Sequence, residues 1–440
     1  MVNLLKKYWL AFSFSFIIII LTFCSTWVKE VFELPDIAYK FFTILLYIPF
    51  ILIIIWKIKD DILNIQRNIK KPANILYYSF AIYYIILSLY RFITANEVKE
   101  NLYYTIILFG SLALYLQLKE KMIKTDNVLI QKNILIISLI MVLYRIICYF
   151  LVGPVFASYP INMNIMTGVS VVALPFLIDY LKQDISKKTK SLISLVICLT
   201  FIAVLTSSAR LMCFLTFIVL IVMLFNNIKN KIIFKRILAL FLCAILIVSI
   251  MFIGNVKNTR YAVYREFVGL DKVINLTDNV LGSNIGVNDF SEEQEKVESI
   301  EQINRSDSMR QDLMNMGIEQ VKQNPIFGTG NVTYSYFVSG YFFKQSSHNF
   351  LIEALVCYGI IGVLFLIIFI FIVISKSKIF SHKNKLWEYK ISTLLVFIVY
   401  FAMGSWQPLT FNILVCPMFL LIFLAYEKII KESLQTISVD

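Results

Sequence analysis

Long runs of apolar residues recur along the whole chain and are separated by short polar segments. A helix needs about 20 predominantly apolar residues to cross a bilayer. Segments of roughly this kind lie at 9–27, 39–56, 73–90, 101–118, 133–152, 160–180, 191–206, 211–226, 237–254, 349–374, 391–406 and 409–426. The pattern predicts an all-α polytopic membrane protein with about 12 transmembrane helices and no internal repeat.

The composition agrees with this pattern. Of 440 residues, 59% are hydrophobic and 16% are charged, whereas soluble domains have about 45–50% apolar and about 25% charged residues. A soluble multidomain enzyme and a disordered chain are therefore excluded. All seven cysteines fall inside apolar runs, which favours small membrane-core side chains over a disulfide framework or a metal site.

The net charge of +13 is explained by topology. With the N-terminus in the cytoplasm, 26 of the 41 basic residues fall in cytoplasmic segments, as the positive-inside rule requires. Both termini are then cytoplasmic, and Arg91 and Arg210 are among the few basic residues of the short external loops. No nucleic-acid partner is indicated.

Three regions follow from this topology. Residues 1–254 hold nine spans, 255–347 form one large external loop, and 348–440 hold the last three spans. The loop carries nine basic and twelve acidic residues. Its apolar spacing predicts a helix over 305–323 that ends at Asn324-Pro325, and a second helix near 258–270.

Charges within apolar spans cost about 2.5–3.5 kcal/mol each on insertion scales, so Arg145, Arg210 and Glu353 call for an explanation. Arg210 closes a tight external hairpin. Its guanidinium suits either bidentate phosphate binding or contact with lipid headgroups, and the sequence favours neither. Arg145 either faces a donor cavity or pairs with a buried carbonyl. Glu353 does not share a helix face with His348, which argues against a simple dyad.

Two further positions suggest chemistry at the external mouth of the span that begins at 349. His348 is suited to act as a base near neutral pH or to cap the helix. Gly328 and Gly330 permit a sharp turn that would direct N–H groups at an anion, fifteen residues and more after Arg310. Arg305 is interpreted as a surface charge. The sequence contains no metal-ligand spacing and no nucleotide-binding motif, so neither metal nor cofactor is expected.

The order of these features resembles the O-antigen ligase/polymerase superfamily, which includes Wzy-type polysaccharide polymerases and lipid A-core O-antigen ligases. The similarity is carried by Arg310, Asn324-Pro325-Ile326-Phe327-Gly328-Thr329-Gly330, His348-Asn349 through Glu353, and Gly359 with Gly362. The turn Thr206–Arg210 resembles the family's short Ser-Arg turn, and Pro160-Ile161-Asn162 with Pro175 resembles its Pro-Asn span.

The resemblance implies a GT-C-like, metal-independent, inverting glycosyltransferase in the bacterial cytoplasmic membrane. Its donor would be an undecaprenyl-pyrophosphate-linked oligosaccharide and its acceptor a glycan, with membrane lipids, a flippase and a chain-length regulator as further partners. Arg210 and Arg310 would bind the pyrophosphate and His348 would be the catalytic base. The supporting residues would be Arg145, Arg305, Glu353, Asn349, Gly328 and Gly330.

Within this resemblance a polymerase that joins repeat units for capsule, exopolysaccharide or O-antigen is favoured, because the family is broad and the loop carries no acceptor-specific mark. A ligase that transfers the glycan to another acceptor is the alternative. A non-catalytic lipid or glycan transporter fits less well, because no repeated halves are visible and His348 stands at the external mouth.

Overall fold

The computed structural model describes residues 47–68, 70–95, 99–122, 127–152, 163–207, 209–254, 310–330, 333–338, 341–347, 349–377, 387–404 and 412–437, with some single positions besides. Apart from single positions, the predicted first span 9–27 and the predicted helix near 258–270 lie outside these residues. Arg305 and His348 also lie outside them.

Helices dominate the described residues. In chain order they are α1 (Ile48–Leu63), α2 (Ile65–Asn68), α3 (Pro72–Ala95), α4 (Lys99–Met122), α5 (Asn127–Val152), α6 (Met163–Leu181), α7 (Lys187–Leu205), α8 (Arg210–Asn226), α9 (Lys231–Ile253), α10 (310–323), α11 (Phe350–Ser377), α12 (Trp387–Gly404) and α13 (Asn412–Ile437). Their starts follow local rules, as at α7, where the Ser186 hydroxyl accepts a hydrogen bond from the Thr189 N–H at 3.2 Å.

The prediction of a polytopic membrane protein is confirmed. Among the described residues, five helices are long and apolar enough to cross a membrane, namely α3, α5, α7, α9 and α11. Shorter apolar segments lie in α4, α6 and α8. The total of twelve spans and the GT-C-like architecture stay predictions.

The loop 255–347 contains a β-hairpin that the sequence analysis did not predict. Strands β1 (Thr333–Val338) and β2 (Tyr341–Ser346) pair antiparallel, with Thr333 opposite Ser346. The sequence does carry the signal, because two runs rich in aromatic residues flank the dipeptide Ser339-Gly340. The predicted loop helix is confirmed over 310–323 and ends where Asn324-Pro325 was expected to end it.

The chain forms two compact units, one comprising Met1–Ile137 with Arg310–Asp440 and the other Ser138–Met309. In the first unit α1 packs on α4, α3 on α11, and α13 on both α4 and α12. In the second unit α7 packs on α6 and α9, and α8 packs on α6.

An aromatic cluster joins α3, α4 and α11 in the core of the first unit. The ring of Phe80 stacks on Phe109 at 4.9 Å between centroids and meets Tyr358 edge-on at 5.6 Å. Tyr84 meets the same Tyr358 ring at 5.8 Å. Such pairs add directional packing to the burial of apolar area, so the middle of α11 is held firmly against α3.

The predicted second span, 39–56, differs from the helix that forms there. Helix α1 begins at Ile48 with a proline in its first turn and continues through charged residues to Leu63. Lys57, assigned from sequence to a cytoplasmic polar segment, is fully buried and forms an ion pair with Asp61. Asp61 also accepts hydrogen bonds from Asn68 Nδ2 at 2.9 Å and Tyr78 Oη at 2.5 Å. These partners satisfy the charges inside the helix, which is why it does not end before them.

Candidate functional site

The segment between α10 and α11 inserts a turn into a break in α11. We call residues 325–330 the inserted turn. Gly359 interrupts α11 with φ 64° and ψ −176°. Beyond the break, the N–H of Ile360 donates to the Pro325 carbonyl at 2.9 Å and that of Ile361 to the Ile326 carbonyl at 3.4 Å. Main-chain hydrogen bonds that an unbroken helix would make within itself are thus made to the loop.

Glycines are required on both sides of this contact. Gly328 has φ 69°, and a Cβ added to it would lie 2.3 Å from the Val356 carbonyl oxygen. A Cβ added to Gly359 would lie 2.1 Å from the Ile326 carbonyl oxygen. Real Cβ atoms do not approach backbone atoms so closely, and both glycines have positive φ. The glycines that carry the family resemblance are therefore explained by a close approach of two backbones.

The inserted turn does not direct its glycine N–H groups at an anion. The Gly328 N–H donates to the Asn324 carbonyl and the Gly330 N–H to the Val356 carbonyl, each at 2.8 Å. Both groups are engaged by the protein itself. If Gly328 and Gly330 support the site, they would therefore do so by allowing the backbone shape of the turn and not by binding an anion through their N–H groups.

A residue that the sequence analysis placed in an external loop holds this turn. Arg91 lies inside α3 and is only 6% exposed. Its Nη2 donates to the carbonyls of Phe327 at 2.7 Å and Gly328 at 2.9 Å. The sequence signal was an arginine at the end of an apolar run, which also fits a side chain that extends to the membrane surface.

The start of α11 is organised on both sides of His348. Asn349 caps the helix, because its Oδ1 accepts from the N–H groups of Leu351 at 3.0 Å and Ile352 at 3.1 Å. The hydroxyl of Ser347 lies 3.4 Å from Glu353 Oε1. Glu353 is fully buried in the first turn of α11. Ser347 and Asn349, the residues on either side of His348 in the sequence, therefore both contact the first turn of α11. The N-cap of the helix is Asn349.

Arg310 is the first described residue of α10. Its side chain is half-buried and lies on the covered face of the helix with buried Leu313 and Gly317 and half-buried Met314. Helix α10 leads directly into the inserted turn, where Asn324 Oδ1 accepts from the Phe327 N–H at 3.3 Å. The position of Arg310 is thus coupled through α10 to the inserted turn.

In the second unit, Arg145 pairs with a carbonyl, one of the two alternatives left open by the sequence. It is 1% exposed, and its Nη2 donates to the Thr206 carbonyl at 2.8 Å. Its guanidinium carbon also lies 5.5 Å from the centre of the Tyr149 ring. Thr206 is the C-cap of α7. Because the last carbonyls of a helix lack partners within it, a cation at this end is favourable.

Arg210 follows this C-cap after a very short connection. Its main chain begins α8, and its side chain lies outside the described part of the molecule. Ala209 is the N-cap of α8 and makes no side-chain hydrogen bond to the first turn. The Ala209 N–H itself donates to the Ser207 hydroxyl at 3.2 Å. Arg145 therefore supports the turn that leads to Arg210.

The predicted residues thus form two sets, and each is described within its own unit. The first unit contains Arg310, the inserted turn and the start of α11, and the second contains Arg145 and the main chain of Arg210. Within the described ranges, no three His, Cys, Asp or Glu side chains are grouped so as to hold a metal ion.

Comparison with known families gives a match over part of the chain. Residues 193–367 match the Wzy_C family, described as O-antigen ligase. The match covers less than half of the chain and includes Arg210, α10, the inserted turn and the break in α11. It confirms the resemblance to the O-antigen ligase/polymerase superfamily, whose members are glycosyltransferase-like enzymes that use lipid-linked glycans and acceptors. No curated protein matches the chain.

Proposed function

We propose that the chain is a membrane polysaccharide polymerase. It would join undecaprenyl-pyrophosphate-linked oligosaccharide repeat units on the outer face of the bacterial cytoplasmic membrane, for capsule, exopolysaccharide or O-antigen. The observation that carries the proposal is the family match over 193–367, which supports transfer of a lipid-linked glycan by either a polymerase or a ligase. The polymerase is preferred because the sequence of the loop 255–347 contains no recognisable acceptor-specific motif. That match includes each residue to which we assign a direct role, Arg210, Arg310 and His348.

The proposed reaction is a single displacement. A hydroxyl oxygen of the acceptor glycan attacks the anomeric carbon of the donor as the bond from that carbon to the pyrophosphate oxygen breaks. The proton of the hydroxyl passes to His348, and the pyrophosphate leaves on its lipid. Attack from the face opposite the leaving group inverts the anomeric carbon. Arg210 and Arg310 balance the negative charge that develops on the leaving group, a task that two guanidinium groups perform without a metal.

Local structure supports an anion at Arg210. The first turn of a helix carries N–H groups without partners in the helix and a partial positive charge. At α8 this turn receives no side-chain hydrogen bond from Ala209. A phosphate bound by Arg210 would accept from these groups as well. The bond from Arg145 to the Thr206 carbonyl holds the C-cap of α7, four residues before Arg210.

Local structure also supports a fixed position for His348. A base must be held within hydrogen-bond reach of the proton that it removes. Asn349 is fixed by two hydrogen bonds to the first turn of α11, and Ser347 contacts Glu353 in the same turn. We assign Asn349 and Glu353 as supporting residues, because they restrain the main chain on either side of the proposed base.

The membrane setting of the proposal follows the distribution of basic residues. Both termini and the segment around residues 57–71 would lie in the cytoplasm, and the loop 255–347 would lie outside. A single cysteine introduced at Ser291, with the native cysteines replaced, should react with a membrane-impermeant maleimide added to intact spheroplasts. A cysteine at Lys59 should react only after permeabilisation. The flippase and the chain-length regulator remain predicted partners.

A ligase is the second candidate, because the family that matches residues 193–367 is described as O-antigen ligase. The two functions differ in the acceptor. Purified protein in lipid nanodiscs is mixed with a lipid-linked repeat unit alone, and the products are separated by size. A ladder of longer lipid-linked glycans supports the polymerase. Transfer only after addition of a second acceptor supports the ligase, and movement across vesicles without a new glycosidic bond refutes both.

A further inference from the structure

The buried guanidinium of Arg91 connects α3 to a part of the chain more than 230 residues away. A charge buried in a membrane helix is costly unless polar groups solvate it. Here one nitrogen donates to two consecutive carbonyls of the inserted turn. Arg91 therefore holds Phe327 and Gly328 from α3. On the other side, Val356, Ile360 and Ile361 of α11 hydrogen-bond to the main chain of the same turn.

The inserted turn lies between the two parts of the first unit that carry the proposed chemistry. Within the described residues, helix α10 runs from Arg310 to residue 323, and the turn starts at Pro325. Helix α11 begins two residues after His348 and receives the turn at its break, nine residues into the helix. A nine-residue helical segment is about 13 Å long. The turn therefore attaches the end of α10 to α11 at a point about 13 Å along the helix from its start.

We propose that Arg91 is a positioning residue for glycan transfer. By holding the Phe327 and Gly328 carbonyls, it keeps the inserted turn in the break of α11 and so fixes α10, with Arg310, relative to the start of α11. The proposal rests on the function proposed above. It also explains why a long side chain with a hydrogen-bond donor stands at this point of α3, since an apolar side chain would leave two carbonyls of the turn without these donors.

The experiment compares Arg91→Gln and Arg91→Lys with wild-type protein in nanodiscs. Amide hydrogen exchange is measured in peptides that contain 324–330 and 356–362, and product formation is measured with the lipid-linked repeat unit. Ile93→Ala is the matched control on the same helix, because Ile93 is 81% exposed. Arg67→Gln controls for loss of an exposed arginine.

We expect Arg91→Gln to raise exchange in both peptides by about tenfold, because the turn leaves the break more often. Product formation should fall by about 100-fold, the effect of a displacement of about 1 Å in a catalytic group. Arg91→Lys, which keeps a charged donor, should restore part of both. The two control variants should match wild type.

A double variant distinguishes a positioning role of Arg91 from a role in general stability. If Arg91 acts through the position of Arg310, the double variant Arg91→Gln/Arg310→Lys should lose little more activity than Arg310→Lys alone, because coupled residues are not additive. Full multiplication of the two losses would overturn the positioning role. Arg91→Lys keeps the test decisive if Arg91→Gln does not fold.

Failure of the two proposals can be told apart. Unchanged exchange or unchanged turnover in Arg91→Gln and Arg91→Lys, in an enzyme whose wild type makes glycan product, overturns the role of Arg91 alone. Absence of any glycan product from wild-type protein overturns the proposed function, and with it the role of Arg91 in positioning groups for glycan transfer. If wild-type protein makes no product but Arg91→Gln still raises amide exchange in the peptide 324–330, Arg91 would still be shown to hold the inserted turn in the break of α11.

Discussion

Replacing Gly359 by alanine should release the inserted turn from α11. The new Cβ would lie 2.1 Å from the Ile326 carbonyl oxygen and 2.6 Å from the Phe327 carbonyl carbon. Both are backbone atoms of the turn and cannot rotate away as a side-chain end does. Alanine is also the strongest helix former, so it favours an unbroken α11 over the broken one.

The magnitude follows from the backbone strain. The backbone of Gly359, at φ 64° and ψ −176°, lies in a region that is almost restricted to glycine, and holding alanine there costs about 1–3 kcal/mol. The hydrogen bonds from Ile360 and Ile361 to the turn are lost on release in wild type and variant alike, so they do not enter the difference. A cost of about 1–3 kcal/mol shifts the equilibrium between inserted and released turn by a factor of about 5 to 150.

The assay measures amide exchange of the peptide 324–330, the melting temperature in nanodiscs, and product formation. Exchange should rise, and product formation should fall by about 100-fold if the turn positions the proposed catalytic groups. Membrane insertion should be retained, because the apolar length of α11 is unchanged. Gly254→Ala is the control, since its new Cβ would meet no atom closer than 3.5 Å.

One result would refute this reasoning. If Gly359→Ala exchanged and turned over like wild type, the break in α11 would not hold the turn, and the strained backbone would have no role in the site. A fall in melting temperature together with wild-type turnover would limit the break to a structural role.

The remaining predictions concern the proposed chemistry and the buried charges. His348→Ala should abolish product while the protein still inserts, and full turnover in this variant would remove it from the mechanism. Arg310→Lys should strongly impair turnover, because lysine loses bidentate phosphate geometry; wild-type rates would indicate a structural role. Arg145→Met should lower both turnover and melting temperature by leaving the Thr206 carbonyl without this donor, and unchanged values of both would contradict the proposed support. Asp61→Asn should destabilise the protein by about 3–5 kcal/mol in thermal unfolding, because buried Lys57 then lacks its counter-charge, whereas an unchanged melting temperature would show that the pair is not needed.

Much of the fold could be predicted because the membrane imposes a simple rule on sequence. Long apolar runs become helices, since every backbone polar group must be satisfied internally. The end of α10 at Asn324-Pro325 was also predictable, because proline has no N–H with which to continue a helix. The extension of α1 to Leu63 was not, since it depends on partners of Asp61 that lie on α2 and α3.

The site was only partly predictable. The glycines at 328, 330 and 359 were recognised as a pattern, but their reason, the insertion of a turn into a helix, involves contacts between residues about 30 positions apart. An N–H in a glycine turn is equally available to an anion and to a nearby helix carbonyl, and sequence does not distinguish the two. Arg91 was missed for a similar reason, since nothing near it in the chain indicates the carbonyls that it meets.

Arg91 and Arg145, both buried and both outside the proposed pyrophosphate site, share one arrangement, and this has an electrostatic consequence. Arg91 donates to carbonyls of the turn that follows α10, and Arg145 donates to a carbonyl at the turn that precedes α8. Helices α10 and α8 begin, within the described residues, with Arg310 and Arg210.

Carbonyls carry no net charge, so these bonds solvate each guanidinium without cancelling its charge. Poorly solvated surroundings screen such a charge weakly. Each buried arginine therefore restrains a turn and also adds positive potential there, Arg91 at the end of α10 and Arg145 ahead of the start of α8. A lysine at either position preserves the potential more fully than the geometry, whereas a neutral residue removes both. The difference between lysine and glutamine variants at Arg91 thus separates the electrostatic contribution from the positional one.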